Sequence, residues 1–117
     1  MKVLIVDDVA INRMLPKYLL QKLGHETLEA DSGQSALQML EQDPSIDHIL
    51  LDINMPEMSG AEVCRRLRAA PGGHSLHIVA YTAHAFPHEK ESIMDAGFDD
   101  LLIKPITRDL LIQSMKL

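Results

Sequence analysis

The sequence predicts an α/β fold: a doubly wound, five-stranded parallel sheet covered by five helices. Three observations carry this reading. Apolar runs of strand length alternate five times with longer amphipathic segments, an order that implies parallel strands joined by right-handed crossovers. The first and third runs, and to a lesser degree the fourth, are apolar on both faces, as central parallel strands must be. The chain of 117 residues has no linker, tandem repeat or low-complexity segment, so 1–117 reads as a single domain.

Taken in order, residues 3–6 (VLIV) are the first strand. A helical pattern follows over 11–23, where Leu15, Leu19, Leu20 and Leu23 have the spacing of one face. Pro16 lies inside it and would free the carbonyl of Asn12, which predicts a kink or a late helix start. Gly24 stands just past the helix end, where glycine adopts a left-handed backbone cheaply. Residues 27–30, in "ETLEA", alternate with polar positions and read as an edge strand. A helix over 34–41 precedes a loop marked by Pro44. Residues 49–51 form the third strand and run straight into Asp52, inside "HILLDINMPEMSG". A helix over 61–69 ends before the loop Pro71-Gly72-Gly73. Strand 78–81, helix 88–96 with Gly97 behind it, strand 101–103 and helix 108–115, capped by Thr107, complete the chain.

Composition excludes several classes. With 11 basic and 17 acidic residues the net charge is −6, which disfavours direct nucleic-acid binding or an anionic membrane surface. Aromatics are 3%, so aliphatic side chains and Met must fill the core. The one cysteine, Cys64, permits no internal disulfide and fits a reducing compartment. No apolar run approaches the roughly 20 residues of a membrane span. The start "MKVLIVDD" reaches charge too soon for a signal peptide. Cytoplasm is the expected location.

In sheets of this kind chemistry sits beyond the carboxyl ends of the strands. Asp7 and Asp8 follow the first strand, Asp52 the third, Thr82 and Ala83 the fourth, Lys104 and Pro105 the fifth. Three carboxylates, a hydroxyl and an ammonium therefore converge on one edge. Clustered carboxylates repel unless a cation joins them, and oxygen donors of this kind suit Mg²⁺. Lys104 is a point charge able to hold a phosphate or pair with a carboxylate. Thr82 can donate to a phosphate oxygen. Such a clamp suits phosphoryl transfer, and a carboxylate can itself be the nucleophile. Asp52, on the middle of the three acid-bearing and hydroxyl-bearing strands, is the best acceptor.

The set Asp7-Asp8, Asp52, Met55-Pro56, Thr82-Ala83 and Lys104-Pro105 resembles the receiver domain of two-component response regulators. "TAHA" and "GFDDLLIKPI" look most like receivers of hybrid histidine kinases. The resemblance implies a flavodoxin-like receiver fold with strand order 2-1-3-4-5. It implies Asp52 as phosphoacceptor, Asp8 and Asp52 as direct Mg²⁺ ligands with the carbonyl of Asn54, and Asp7 acting through water. Thr82 and Lys104 would bind the phosphoryl group, and the donor would be a phosphohistidine on a histidine kinase or histidine phosphotransfer protein. Such a domain is not an enzyme beyond its own phosphorylation and dephosphorylation, and it signals by conformational change. Position 84, here His84, and Asn54 tune phosphate lifetime in that family. Two positions depart from the pattern. Leu101 stands where many receivers carry an aromatic, and Tyr81 where an aliphatic residue is usual.

Other readings compete with these. A haloacid-dehalogenase-type hydrolase also uses an aspartyl nucleophile, but Asn54 occupies the place of its general acid and has no proton to give. A degenerate receiver would lack part of the site. His84 and His88 have the spacing of zinc ligands, but Pro87 between them favours loop histidines. His74 and His77 read as surface residues, and Cys64 as an inert packed thiol. Gly72-Gly73 is no phosphate cradle, because no Lys-Ser/Thr follows. Val9, Ile11, Asn12 and Met14 flank the acidic pair, with Pro105-Ile106 across from them. They either dock the phosphoryl donor or cap the core.

Overall fold

The computed structural model describes residues 1–83 and 87–116. Strands β1 (Lys2–Val6), β2 (Glu26–Ala30), β3 (His48–Asp52), β4 (His77–Thr82) and β5 (Asp100–Ile103) alternate with five helices. These are α1 (Ala10–Lys22), α2 (Gly33–Gln42), α3 (Gly60–Ala69), α4 (Pro87–Asp95) and α5 (Arg108–Met115). All strand pairs are parallel, in the order β2-β1-β3-β4-β5. β2 is an edge, as its polar alternation requires.

Side-chain alternation divides the core in two. On one face Leu4, Val6, Ile49, Leu51, Ile78 and Ala80 pack against α2, α3 and α4. On the other, Val3, Ile5, Leu50, Val79 and Tyr81 meet Leu20 of α1 and Leu111 and Met115 of α5. Helix starts follow local chemistry: the hydroxyls of Ser32, Ser59 and Thr107 accept from the N–H groups of Ser35, Glu62 and Leu110. Gly24 and Gly97 take φ of +87° and +111° past α1 and α4, the left-handed backbone expected of them.

Four expectations need correction. Of the kink or late start expected at Pro16, the late start is ruled out: α1 begins at Ala10 and passes through Pro16, which is buried. Leu15 is 41% exposed, so the buried face runs through Pro16 and Leu20 instead. The Pro71-Gly72-Gly73 loop tightens into a 3₁₀ turn at Gly73–Ser75. His77 is half-buried, its Nε2 is 2.7 Å from the Ser114 carbonyl, and its ring lies 5.2 Å from that of His48. His84 and the side chain of His88 lie outside the described residues.

The edge opposite the strand tips is tied by Arg68. Its guanidinium donates to the carbonyls of Gly97, Gly73 and Leu76 and to the Asp99 carboxylate. Cys64 is buried, and burial pushes its thiol up to about 11, as an inert packed cysteine requires.

Candidate functional site

The carboxyl ends of β1 and β3 bring Asp7, Asp8 and Asp52 together, with one oxygen of each within 4.8 Å of the others. Asp7 is fully buried and Asp52 is 5% exposed, while Asp8 faces solvent. Asp7 is held at both oxygens. Oδ1 accepts the N–H of Val9 at 2.9 Å, and Oδ2 accepts Lys104 Nζ at 2.9 Å. The same ammonium stands 3.6 Å from Asp52 Oδ1. The N–H of Asn54 reaches Asp52 Oδ1 at 3.4 Å, and Asn54 itself is exposed. Thr82 ends β4, 2% exposed. Lys104 donates its backbone N–H to the Thr82 carbonyl at 2.7 Å, and its peptide to Pro105 is cis. Among the described residues, Asp7, Asp8, Asp52, Asn54, Thr82 and Lys104 therefore fall at this one edge.

Charge explains the electrostatics. Asp52 is pushed up to about 6, first by burial and then by the neighbouring Asp7, against the pull of Lys104. Among the described residues, the Lys104 ammonium pairs with two of the three carboxylates, Asp7 and Asp52. An all-oxygen donor set of this kind fits a hard divalent cation such as Mg²⁺. Asp8 and Asp52 have the freer oxygens for direct ligation. Asp7 is committed to Val9 and Lys104, which favours contact through water.

Arg13 and Gly60, which were not read from the sequence, and Tyr81, which departs from the family pattern, further shape the site. Arg13 of α1 donates to the Asp7 carbonyl at 2.6 Å and to Glu29 at 3.0 Å, which fixes the β1 tip. Gly60 opens α3 directly behind Asp52: a Cβ there would stand 2.2 Å from the Asp52 carbonyl oxygen, and its N–H holds the Ile53 carbonyl at 2.9 Å. A glycine at the first position of a helix was the available signal, since every residue but proline is a better helix former. Tyr81 is 3% exposed, and Lys104 Nζ lies over its ring at 4.6 Å from the centroid. Burial, then Asp7 and Asp52, push its phenol up to about 12. The ring is almost wholly enclosed.

The flanking residues divide. Val9, Ile11 and Met14 are 44%, 71% and 64% exposed, and Asn12 is half-buried. Pro105 is exposed, but Ile106 is buried in the core beside α5 and forms no rim. It belongs to the apolar cluster with Leu102, Leu111 and Met115.

A parallel sheet in this order, with a charged cluster at its carboxyl edge, defines a flavodoxin-like domain of the receiver type. The chain belongs to the response regulator receiver domain family, whose model matches residues 3–116. Family membership places it in two-component phosphorelay signalling as a phosphoaccepting module. It is 39% identical over 115 residues to the sensor histidine kinase RcsC of Salmonella typhimurium, covering 98% of this chain and 12% of that protein. It is 42% identical over 120 residues to the virulence sensor protein BvgS of Bordetella pertussis, covering 98% of this chain and 10% of that protein. The chain thus matches a small part of each relative. Among solved structures, the chemotaxis protein CheY4 of Vibrio cholerae aligns with a TM-score of 0.90 at 30% identity, covering 98% of this chain and 95% of that one. The receiver domain of sensor histidine kinase PA1611 from Pseudomonas aeruginosa aligns with a TM-score of 0.85 at 28% identity, covering 99% and 98%. That structure has a magnesium ion coordinated in its active site cleft.

Proposed function

We propose that residues 1–117 form one receiver domain in which Asp52 takes a phosphoryl group from a phosphohistidine on a histidine kinase or histidine phosphotransfer protein. The observation that supports this most is the single ammonium of Lys104 set 2.9 Å from Asp7 and 3.6 Å from Asp52, inside a cluster of three carboxylates. An acceptor titrating near 6 is ionised at pH 7 yet more basic than a free carboxylate, which suits it to nucleophilic attack. In the transfer, a bond forms between Asp52 oxygen and phosphorus as the phosphorus–nitrogen bond breaks, and the donor imidazole keeps the electron pair and takes up a proton. Lys104 and the Thr82 hydroxyl would meet the charge on the phosphoryl oxygens. Asp8, Asp52 and the Asn54 carbonyl would hold Mg²⁺, with Asp7 through water, and the ion supplies further neutralisation of that charge.

The domain catalyses only its own phosphorylation and dephosphorylation, and it signals by conformational change. Leu101 is half-buried against the α2/α3 side, so an aromatic rotamer change at that position is not part of the switch. A cytoplasmic location fits the composition, and among the described residues no helix is long and apolar enough to cross a membrane. The donor docks on α1. Ile11, Met14, Leu15 and Tyr18 follow the spacing of one helical face, are 41% to 71% exposed, and adjoin the acidic pair. An apolar stripe so placed suits a helix that carries the phosphohistidine to Asp52.

The test is labelling. Acetyl phosphate with Mg²⁺ adds one acid-labile phosphoryl group to the wild type and none to Asp52→Asn. Unchanged labelling of Asp52→Asn would overturn the assignment.

A further inference from the structure

We propose that Tyr81 is a positioning residue for Lys104: its ring face holds the ammonium beside Asp52 before any phosphoryl group arrives. The inference deepens the phosphoacceptor reading and rests on it. Tyr81 is the register partner of Asp52 across β3 and β4, and of Leu102 across β4 and β5. Lys104 lies two residues beyond Leu102 and continues the ladder through its N–H to the Thr82 carbonyl. Strand alternation therefore puts Asp52, Tyr81 and Lys104 on one face of the sheet.

Among the described residues, three groups approach the ammonium there. Asp7 lies at 2.9 Å, Asp52 at 3.6 Å and the Tyr81 ring centroid at 4.6 Å. The last distance is well inside the range of a cation–π contact. Both partners are largely removed from water, at 17% exposure for the Lys104 side chain and 3% for Tyr81, where such contacts are strongest. The ring is conspicuous in its setting. Aromatics are 3% of the chain, and the α1/α5-side core is otherwise aliphatic or Met among the described residues. An aliphatic residue would fill the same volume. It would offer the ammonium no negative face and leave the long lysine stem to be ordered by carboxylates on one side only. A preset ammonium spares that ordering at the moment of transfer.

The contact acts through the ring face and not the hydroxyl, and this makes it testable. The rate of labelling by acetyl phosphate with Mg²⁺, and the affinity for beryllofluoride, are measured for the wild type, Tyr81→Phe and Tyr81→Met, with melting temperatures alongside. Tyr81→Met is expected to be slower by roughly twofold to thirtyfold, and Tyr81→Phe to retain the wild-type rate. Replacing Tyr81 by pentafluorophenylalanine keeps the ring's shape but removes its negative face, so it should slow labelling like Met even where Met disturbs the fold. In a Lys104→Ala background the Tyr81→Met change should have no further effect. Equal rates for wild type, Met and the fluorinated ring, or an equal loss with and without Lys104, would overturn the inference and leave Asp52 as acceptor. Failure of the wild type to label at all overturns the acceptor reading and this inference with it.

Discussion

Replacing Asp52 by asparagine should stabilise the metal-free protein at neutral pH. Asp52 is 5% exposed and titrates near 6 in the fold, against 3.8 when free. At about 1.4 kcal/mol for each pKa unit, that gap is about 3 kcal/mol. Because the folded value is the higher one, the neutral form is what the fold favours. The contribution is fully present below about 3.8 and is lost as pH rises through about 6. At pH 7 the ionised carboxylate therefore works against the fold, and asparagine removes the charge at nearly the same volume. Lys104 keeps its contact with Asp7 at 2.9 Å in the variant, so no buried cation is stranded. The expected gain is about 1–3 kcal/mol at pH 7, falling to about 1 kcal/mol or less at pH 4.5. Urea denaturation at both pH values with a chelator present measures it. Mg²⁺ at pH 7 should narrow the difference, because it stabilises the wild type more than the variant. A variant no more stable than the wild type at pH 7, or a gain that is the same at pH 4.5, would refute the reasoning.

Asp8→Ala should weaken Mg²⁺ binding more than Asp7→Ala, since Asp8 is exposed while both Asp7 oxygens are already engaged; a metal titration with equal losses would reverse the ligand assignment. Ile11→Glu, at a residue 71% exposed, should slow transfer from a phosphohistidine protein at least tenfold, with acetyl-phosphate labelling and melting temperature nearly unchanged. Equal slowing with both donors would show that α1 serves the fold. Gly60→Ala should cost about 1–3 kcal/mol and slow labelling, because its Cβ meets the Asp52 carbonyl; full activity in that variant would show that the α3 start is free to shift.

The alternation of apolar runs and amphipathic segments was enough to place all ten elements to within a residue or two at each end. Burial on both faces leaves a signature in strands 3–6 and 49–51 that no surface segment shares. Asp52, its acidic neighbours, Thr82 and Lys104 were legible for a related reason: the residue that follows a parallel strand lands at the carboxyl edge whatever the helices do. Which atoms meet at that edge was decided only by tertiary packing. Lys104 and Asp7 are 97 residues apart, and nothing local says that the ammonium sits nearer Asp7 than Asp52. The same holds for the Tyr81 ring beneath it, for Arg13 on the Asp7 carbonyl and for Gly60 against Asp52. Their roles depend on distance across strands and helices joined by long crossovers. α1 shows the limit within one element. Its apolar residues are too many for one buried face, so the spacing of Leu15, Leu19, Leu20 and Leu23 could not tell core from surface. The sheet chose the face through Pro16 and Leu20 and left Ile11, Met14, Leu15 and Tyr18 outside, because a helix rolled against a flat layer buries only the stripe that touches it.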